Sequence, residues 1–194
     1  LIVNPDVPAK SVKDLVDLSR KGAALSFASI GIGNTTHLAG ELFVKRAGIN
    51  AVHVPYKSGG AAVTAVIAGE VQMMVVPSTQ SIEFIKSGKV RALAYTHPTR
   101  AALAPEVPTM AEAGMPDFET SIWFGLVAPL GTPKAIVDKL AKAVAEASHS
   151  PDVVASWKPQ GIDPVTAGPE EFGRHIASES KRWGEVAAAA GLKK

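Results

Sequence analysis

The chain has 194 residues, 46% of them hydrophobic, enough for one substantial domain or two small lobes, each with its own core. Twenty basic against eighteen acidic residues leave a net charge of +2 with no basic stripe, which argues against nucleic acid or an anionic membrane as the main partner. The absence of cysteine excludes disulfides, thiolate nucleophiles and cysteine zinc sites, and no segment reaches the roughly 18 apolar residues of a membrane span.

The chain opens without methionine on "LIVNPDVPAKS", whose first residues read as a strand, so the sequence is expected to be a piece of a longer polypeptide. Ser11 can cap a helix over "SVKDLVDLSRKG", with Asp14 in the capping-box position and Gly22 as its stop. "ALSFASI" is the next strand, followed by a loop with glycines at 31 and 33 and a helix ended by Gly48. "AVHVPY" is a short strand before the small-residue helix "KSGGAAVTAVIAGE", and "VQMMVV" is the continuous apolar run of a strand covered on both faces. A helix over residues 78–86 and the strand "VRALAYT" complete the alternation, which predicts an α/β fold with a mainly parallel sheet between helices.

After Thr96 the pattern changes to the Pro- and Ala-rich "HPTRAALAPEVPTMAEAGMPDFE", an extended crossing segment with one helical turn near Thr109 to Ala113. "TSIWFGLVAP" is expected as a strand. Helices follow over "TPKAIVDKLAKAVAEASHS" and "PEEFGRHIASESKRWGEVAAAAG", the latter with Phe172, Ile176, Trp183 and Val186 as its apolar stripe. A boundary is expected between residues 97 and 122.

The glycine loop is the stretch that carries chemistry. In "FASIGIGNTTHLAG" a strand runs into a glycine turn and a helix start, where unpaired NH groups point together and the helix dipole adds about half a positive charge. Glycines let backbone approach a ligand, and Asn34, Thr35 and Thr36 can cap the helix or donate to an oxygen. For an isolated G-x-G, a tight turn with an N-cap is the more ordinary explanation. A dinucleotide site would want glycine at 36, where Thr36 stands, and an acid after the next strand; "YKSGG" does not supply a Walker loop. His37 and Glu41 share a helical face, but two ligands make a poor metal site, and His53, His97, His149 and His175 fall on separate elements. His37 therefore reads as a cap or packing residue and His53 as a hydrogen-bonded core histidine. No G-x-S-x-G elbow frames a serine, and the three tryptophans read as packing.

Taken in order, "NPDVPAKSVKDLV", "SFASIGIGNTTHLAGELF", "HVPYKSGGAAVTAVIAGEVQMM", "SGKVRALAYT", "PEVPTMAEAGMPDFE", "WFGLVAPLGTPKAIVDKL" and "GPEEFGRHIASESKRWGEV" resemble the solute-binding proteins of tripartite tricarboxylate transporters, the TctC-like Bug family. The resemblance runs over essentially the whole chain. It implies a two-lobe, periplasmic-binding-protein-like fold of type II that lacks the N-terminal part of its first lobe. Residues 1–120 would be the second, ligand-binding lobe, and 121–194 the C-terminal part of the first. It further implies a periplasmic receptor, exported by a signal peptide not in this chain and monomeric at full length. Such a receptor takes up a small organic carboxylate and delivers it to membrane permease subunits without enzymatic activity. No cofactor, metal, nucleic acid or membrane insertion is expected. A ligand sensor for a membrane kinase and, further off, a small-molecule hydrolase are the alternatives.

Carried over by the resemblance, the carboxylate cradle falls on Ser29, Ile30, Gly31, Gly33, Asn34, Thr35 and Thr36, with a second ligand-facing stretch at Val76, Pro77, Ser78 and Thr79. Where some members of the family carry an acid suited to an amino group, this chain has Val76, which disfavours an amino-acid ligand. Ser58 stands where the family usually has glycine, and is expected to fit if its φ is negative.

Overall fold

The computed structural model describes residues 1–192. Five strands form one sheet: β1 (Ile2–Val3), β2 (Leu25–Ser29), β3 (Ala51–Pro55), β4 (Met73–Met74) and β5 (Arg91–Ala92), in the order β3-β2-β4-β1-β5. β2 runs parallel to β3 and β4, while β1 is antiparallel to its neighbours β4 and β5. Four strands thus share a direction, and the expected parallel sheet carries one inverted strand within it.

Four helices cover the sheet: α1 (Val12–Arg20), α2 (Thr35–Ala47), α3 (Gly59–Ile67) and α4 (Ser78–Lys86). Ser11 caps α1 as the sequence predicts, its hydroxyl accepting the Asp14 N–H at 3.1 Å. Successive residues of a strand point to opposite faces, and the core divides accordingly. Phe27 joins Leu15, Phe43 and Met73 on one side, and Ala28 joins Val63, Val66 and Met74 on the other. α2 lies so close to β2 that a methyl group on Gly40 would run into the Phe27 ring. This contact fixes the helix, and with it the loop that precedes it.

Beyond β5, the expected helical turn near residue 109 is a turn closed by a reciprocal pair. Thr109 N–H donates to Glu112 Oε2 at 2.7 Å, and Glu112 N–H donates to Thr109 Oγ1 at 3.2 Å. Arg100 Nε holds the same carboxylate at 2.8 Å.

The chain divides into two compact units, one of Leu1–Ile122 with Val186 onward, the other of Trp123–Glu185. The second contains α5 (Lys134–Ser148), α6 (Pro151–Trp157), a 3-10 turn (Lys158–Gln160) and most of α7 (Pro169–Ala189). Trp123 meets Phe172 and His175 edge-on, with ring centroids 5.6 and 4.9 Å apart. None of these three helices buries a residue fully. The strand expected over 120–129 forms no ladder with any described residue, and Phe124, Leu126 and Val127 are exposed. Extended backbone becomes a strand only when another segment satisfies its NH and CO groups.

Candidate functional site

Because β3, β2 and β4 are adjacent and parallel, the helices that follow them, α3, α2 and α4, all begin along one edge of the sheet. The carboxyl edge of such a sheet is where helix N-termini converge and ligands are held. Asn34 caps α2 through its side chain, and Ser58 caps α3 by accepting the Ala61 N–H at 3.2 Å. Ser58 has φ −154°, an extended conformation open to any residue, so serine replaces glycine there without strain. α4 starts after Pro77 with no side-chain cap. A β-carbon on Gly59 would strike the Gln80 side chain, so the first turns of α3 and α4 are in contact.

The loop after β2 is held from below by side chains. Gly31 and Gly33 have φ of +108° and +77°, values that side-chain-bearing residues adopt only with strain. Gly31 N–H donates to Ser29 Oγ at 3.1 Å, Ile30 N–H to Thr36 Oγ1 at 2.9 Å, and Gly33 N–H to His37 Nδ1 at 3.1 Å. Asn34 Oδ1 accepts the Thr36 N–H at 3.1 Å. Among the described residues, the amides of Ile32, Thr35 and His37 make no hydrogen bond. The open donors of this helical tip are therefore interspersed with committed ones, among them the Asn34 N–H, which donates to Gly31 O at 3.3 Å.

The residues carried over as a cradle accordingly divide into two sets. Ser29 and Thr36 are buried, with their hydroxyls turned into the loop. Gly33, Asn34 and Thr35 are exposed, with Ile30 and Gly31 half-buried beside them. Val76, Pro77 and Ser78 are half-buried and Thr79 is exposed at the start of α4. Counting two residues on from the Phe27–Met73 pair puts Val75 level with Ser29, so both stretches leave the sheet at one height. One exposed residue escaped sequence reasoning: Ile32, at the crest of the loop, is 70% exposed. An apolar side chain between two glycines was the signal that could have found it.

His37 and His53 lie beneath the loop, stacked with ring centroids 3.8 Å apart. His37 Nε2 is 3.4 Å from Glu41 Oε1, and His53 Nε2 is 2.6 Å from Ser29 Oγ. A serine so close to an imidazole has the outline of a nucleophile and base. Ser29, however, is 0% exposed and its oxygen already accepts the Gly31 N–H. Burial, and less so His37 beside it, pushes the His53 pKa down to about 4, too low for an effective base at neutral pH. Among the described residues no hydrogen bond to a carboxylate orients the His53 ring. Among the described residues no three His, Asp or Glu converge on a metal position and no helix is long and apolar enough to cross a membrane.

The sequence matches the family described as "Tripartite tricarboxylate transporter family receptor" over residues 1–192. It is 39% identical over 185 residues to the "UPF0065 protein in tcbD-tcbE intergenic region" of Pseudomonas sp. (strain P51), covering 94% of this chain and 55% of that protein. It is 36% identical over 194 residues to "Protein BugT" of Bordetella pertussis, covering 100% of this chain and 60% of the other. Among the solved structures that share the fold are two with a named acid. "R. palustris Rpa4515 with adipate" superposes with TM-score 0.86 at 33% identity, over 98% of this chain and 64% of the other. "MatC (Rpa3494) from Rhodopseudomonas palustris with bound malate" superposes with TM-score 0.80 at 28% identity, over 95% and 64%. The chain thus spans between about half and two-thirds of the length of these relatives.

Proposed function

Since the chain belongs to the tripartite tricarboxylate transporter receptor family, we propose that it is the ligand-holding part of a periplasmic receptor for a short dicarboxylate, which it hands to a membrane permease. Residues 1–120 act as the ligand-binding lobe, and 121–194 belong to the companion lobe. One carboxylate sits over the open amides of Ile32 and Thr35 at the tip of α2, with Gly31, Gly33 and Asn34 shaping the approach. Val76 to Thr79 line the same sheet edge. The observation that carries this reading is the set of unsatisfied main-chain donors on an exposed glycine turn. Two solved structures of this fold are described with adipate and with bound malate, both dicarboxylates.

No lysine or arginine stands in 29–37 or 76–79. Within these two stretches only peptide dipoles and small polar side chains oppose the anion's charge, a grip that strengthens as water is excluded. The half-buried valine at 76 offers nothing to an ammonium group, so dicarboxylates are preferred over amino acids. Isothermal calorimetry with adipate, malate, glutamate and acetate tests the proposal. Gly33→Val adds a β-branched side chain where φ is +77° but no neighbour lies within 4 Å. It should therefore deform the loop and abolish dicarboxylate binding while the thermal midpoint changes by only a few degrees. Unchanged affinity in that variant would sink the assignment.

A further inference from the structure

Two imidazoles, neither of them facing the proposed ligand, occupy the space between the glycine loop and the sheet. Each anchors a different glycine. His37 Nδ1 accepts the Gly33 N–H, and His53 Nε2 pairs with Ser29 Oγ, which accepts the Gly31 N–H. Tethering amides 31 and 33 inward leaves the amide between them, that of Ile32, without a partner. The rings are themselves fixed. They stack on one another, and Phe27 stacks on both, tilted 11° to His37 and 27° to His53, with centroids 6.3 and 5.0 Å away.

We propose that His37 is the positioning residue of the anion loop, with Glu41 selecting its tautomer. Glu41 Oε1 lies near Nε2, so a proton on Nε2 is stabilised there and Nδ1 is left as a lone pair facing Gly33. The opposite tautomer would set two N–H groups against each other and release the glycine. The groups facing the ring are Glu41 from its own helix, His53 from β3 and the Gly33 amide from the loop. This inference rests on the carboxylate reading above, but its geometry can be tested without a ligand.

Nitrogen-15 NMR on the purified protein at pH 7 should show His37 protonated on Nε2 alone, with a nitrogen–nitrogen coupling between Gly33 N and His37 Nδ1. A proton on Nδ1, or no such coupling, overturns the proposal. Calorimetry with adipate adds the functional arm. His37→Leu removes the acceptor and should weaken binding about tenfold, the usual worth of one hydrogen bond. His37→Asn places Oδ1 near the position of Nδ1 and should stay within about threefold of the native affinity. Native affinity in the Leu variant also overturns the proposal. If that variant does not fold, His37→Gln, which can reach Glu41 but not Gly33, takes its place with the same expected loss. If the native protein takes neither adipate nor malate, the carboxylate reading fails, and the Gly33–His37 coupling still decides the positioning claim.

Discussion

His53 is half-buried on the edge strand β3, and burial, with His37 beside it, lowers its pKa from the ordinary 6.5 to about 4. In the unfolded chain this imidazole takes up its proton near 6.5, but in the folded protein only near 4, so between these values the unfolded state binds more protons. Its contribution to stability is present above pH 6.5 and is lost as the pH falls through 4. Urea midpoints should therefore fall from pH 7 to 5.5 to 4.5, and His53→Gln, which keeps a polar group near Ser29, should flatten that dependence. A variant as steep as the native protein would place the titration elsewhere. Asn34 supplies a second test, because its side chain caps α2 and accepts the Thr36 N–H. Asn34→Ala should cost about 1 kcal/mol in urea unfolding. The cap was legible in the sequence only as a set of three candidates, Asn34, Thr35 and Thr36, because each can either cap a helix or donate to an oxygen. The roles of His37 and His53 were legible only as bonded or packed histidines, since nothing in their spacing says which loop amide a ring nitrogen will meet.

At the scale of elements, the packing of α2 on β2 links fold to site. Gly40 faces the Phe27 ring with no room for a methyl group. Gly40→Ala should destabilise the protein by about 1–3 kcal/mol, measured by urea unfolding, and should weaken adipate binding because the loop moves with the helix. Loss of stability without loss of affinity would mean that the loop is set independently of the helix. Helices α1 to α4 follow closely from their periodicity and terminal glycines, and α1 also from its Ser11 cap, which are local signals. The strands follow less well. "VQMMVV" forms ladder pairs only at Met73–Met74, and "VRALAYT" at Arg91–Ala92 with one isolated bridge from Tyr95 to Thr109, although both runs are buried over much of their length. Hydrophobicity reports burial, whereas a ladder also requires a partner in register. The inversion of β1 could not be read at all, because strand order is settled by pairing across some 70 to 90 residues of chain.

Over the whole molecule, every fully buried apolar side chain among the described residues falls between Leu1 and Phe118. Local opening is easiest where few apolar contacts are buried. Hydrogen–deuterium exchange should accordingly find β2 and α2 well protected while α5 and α6 exchange much faster, and equal protection would contradict this distribution of core. The change of composition after Thr96 marked where the dense core thins, but the sequence could not show that the helices beyond it would bury nothing fully. Those helices are strongly patterned, and pattern records which face is suited to cover, not whether cover is present. The donors at the glycine turn belong to peptide groups that every residue shares. On the reading proposed above, side-chain replacement at Ile32 or Thr79 should recast which acids are accepted while the main-chain donors keep their hold on carboxylate oxygen, a basis for diversifying the cargo of one scaffold or re-engineering it as a biosensor.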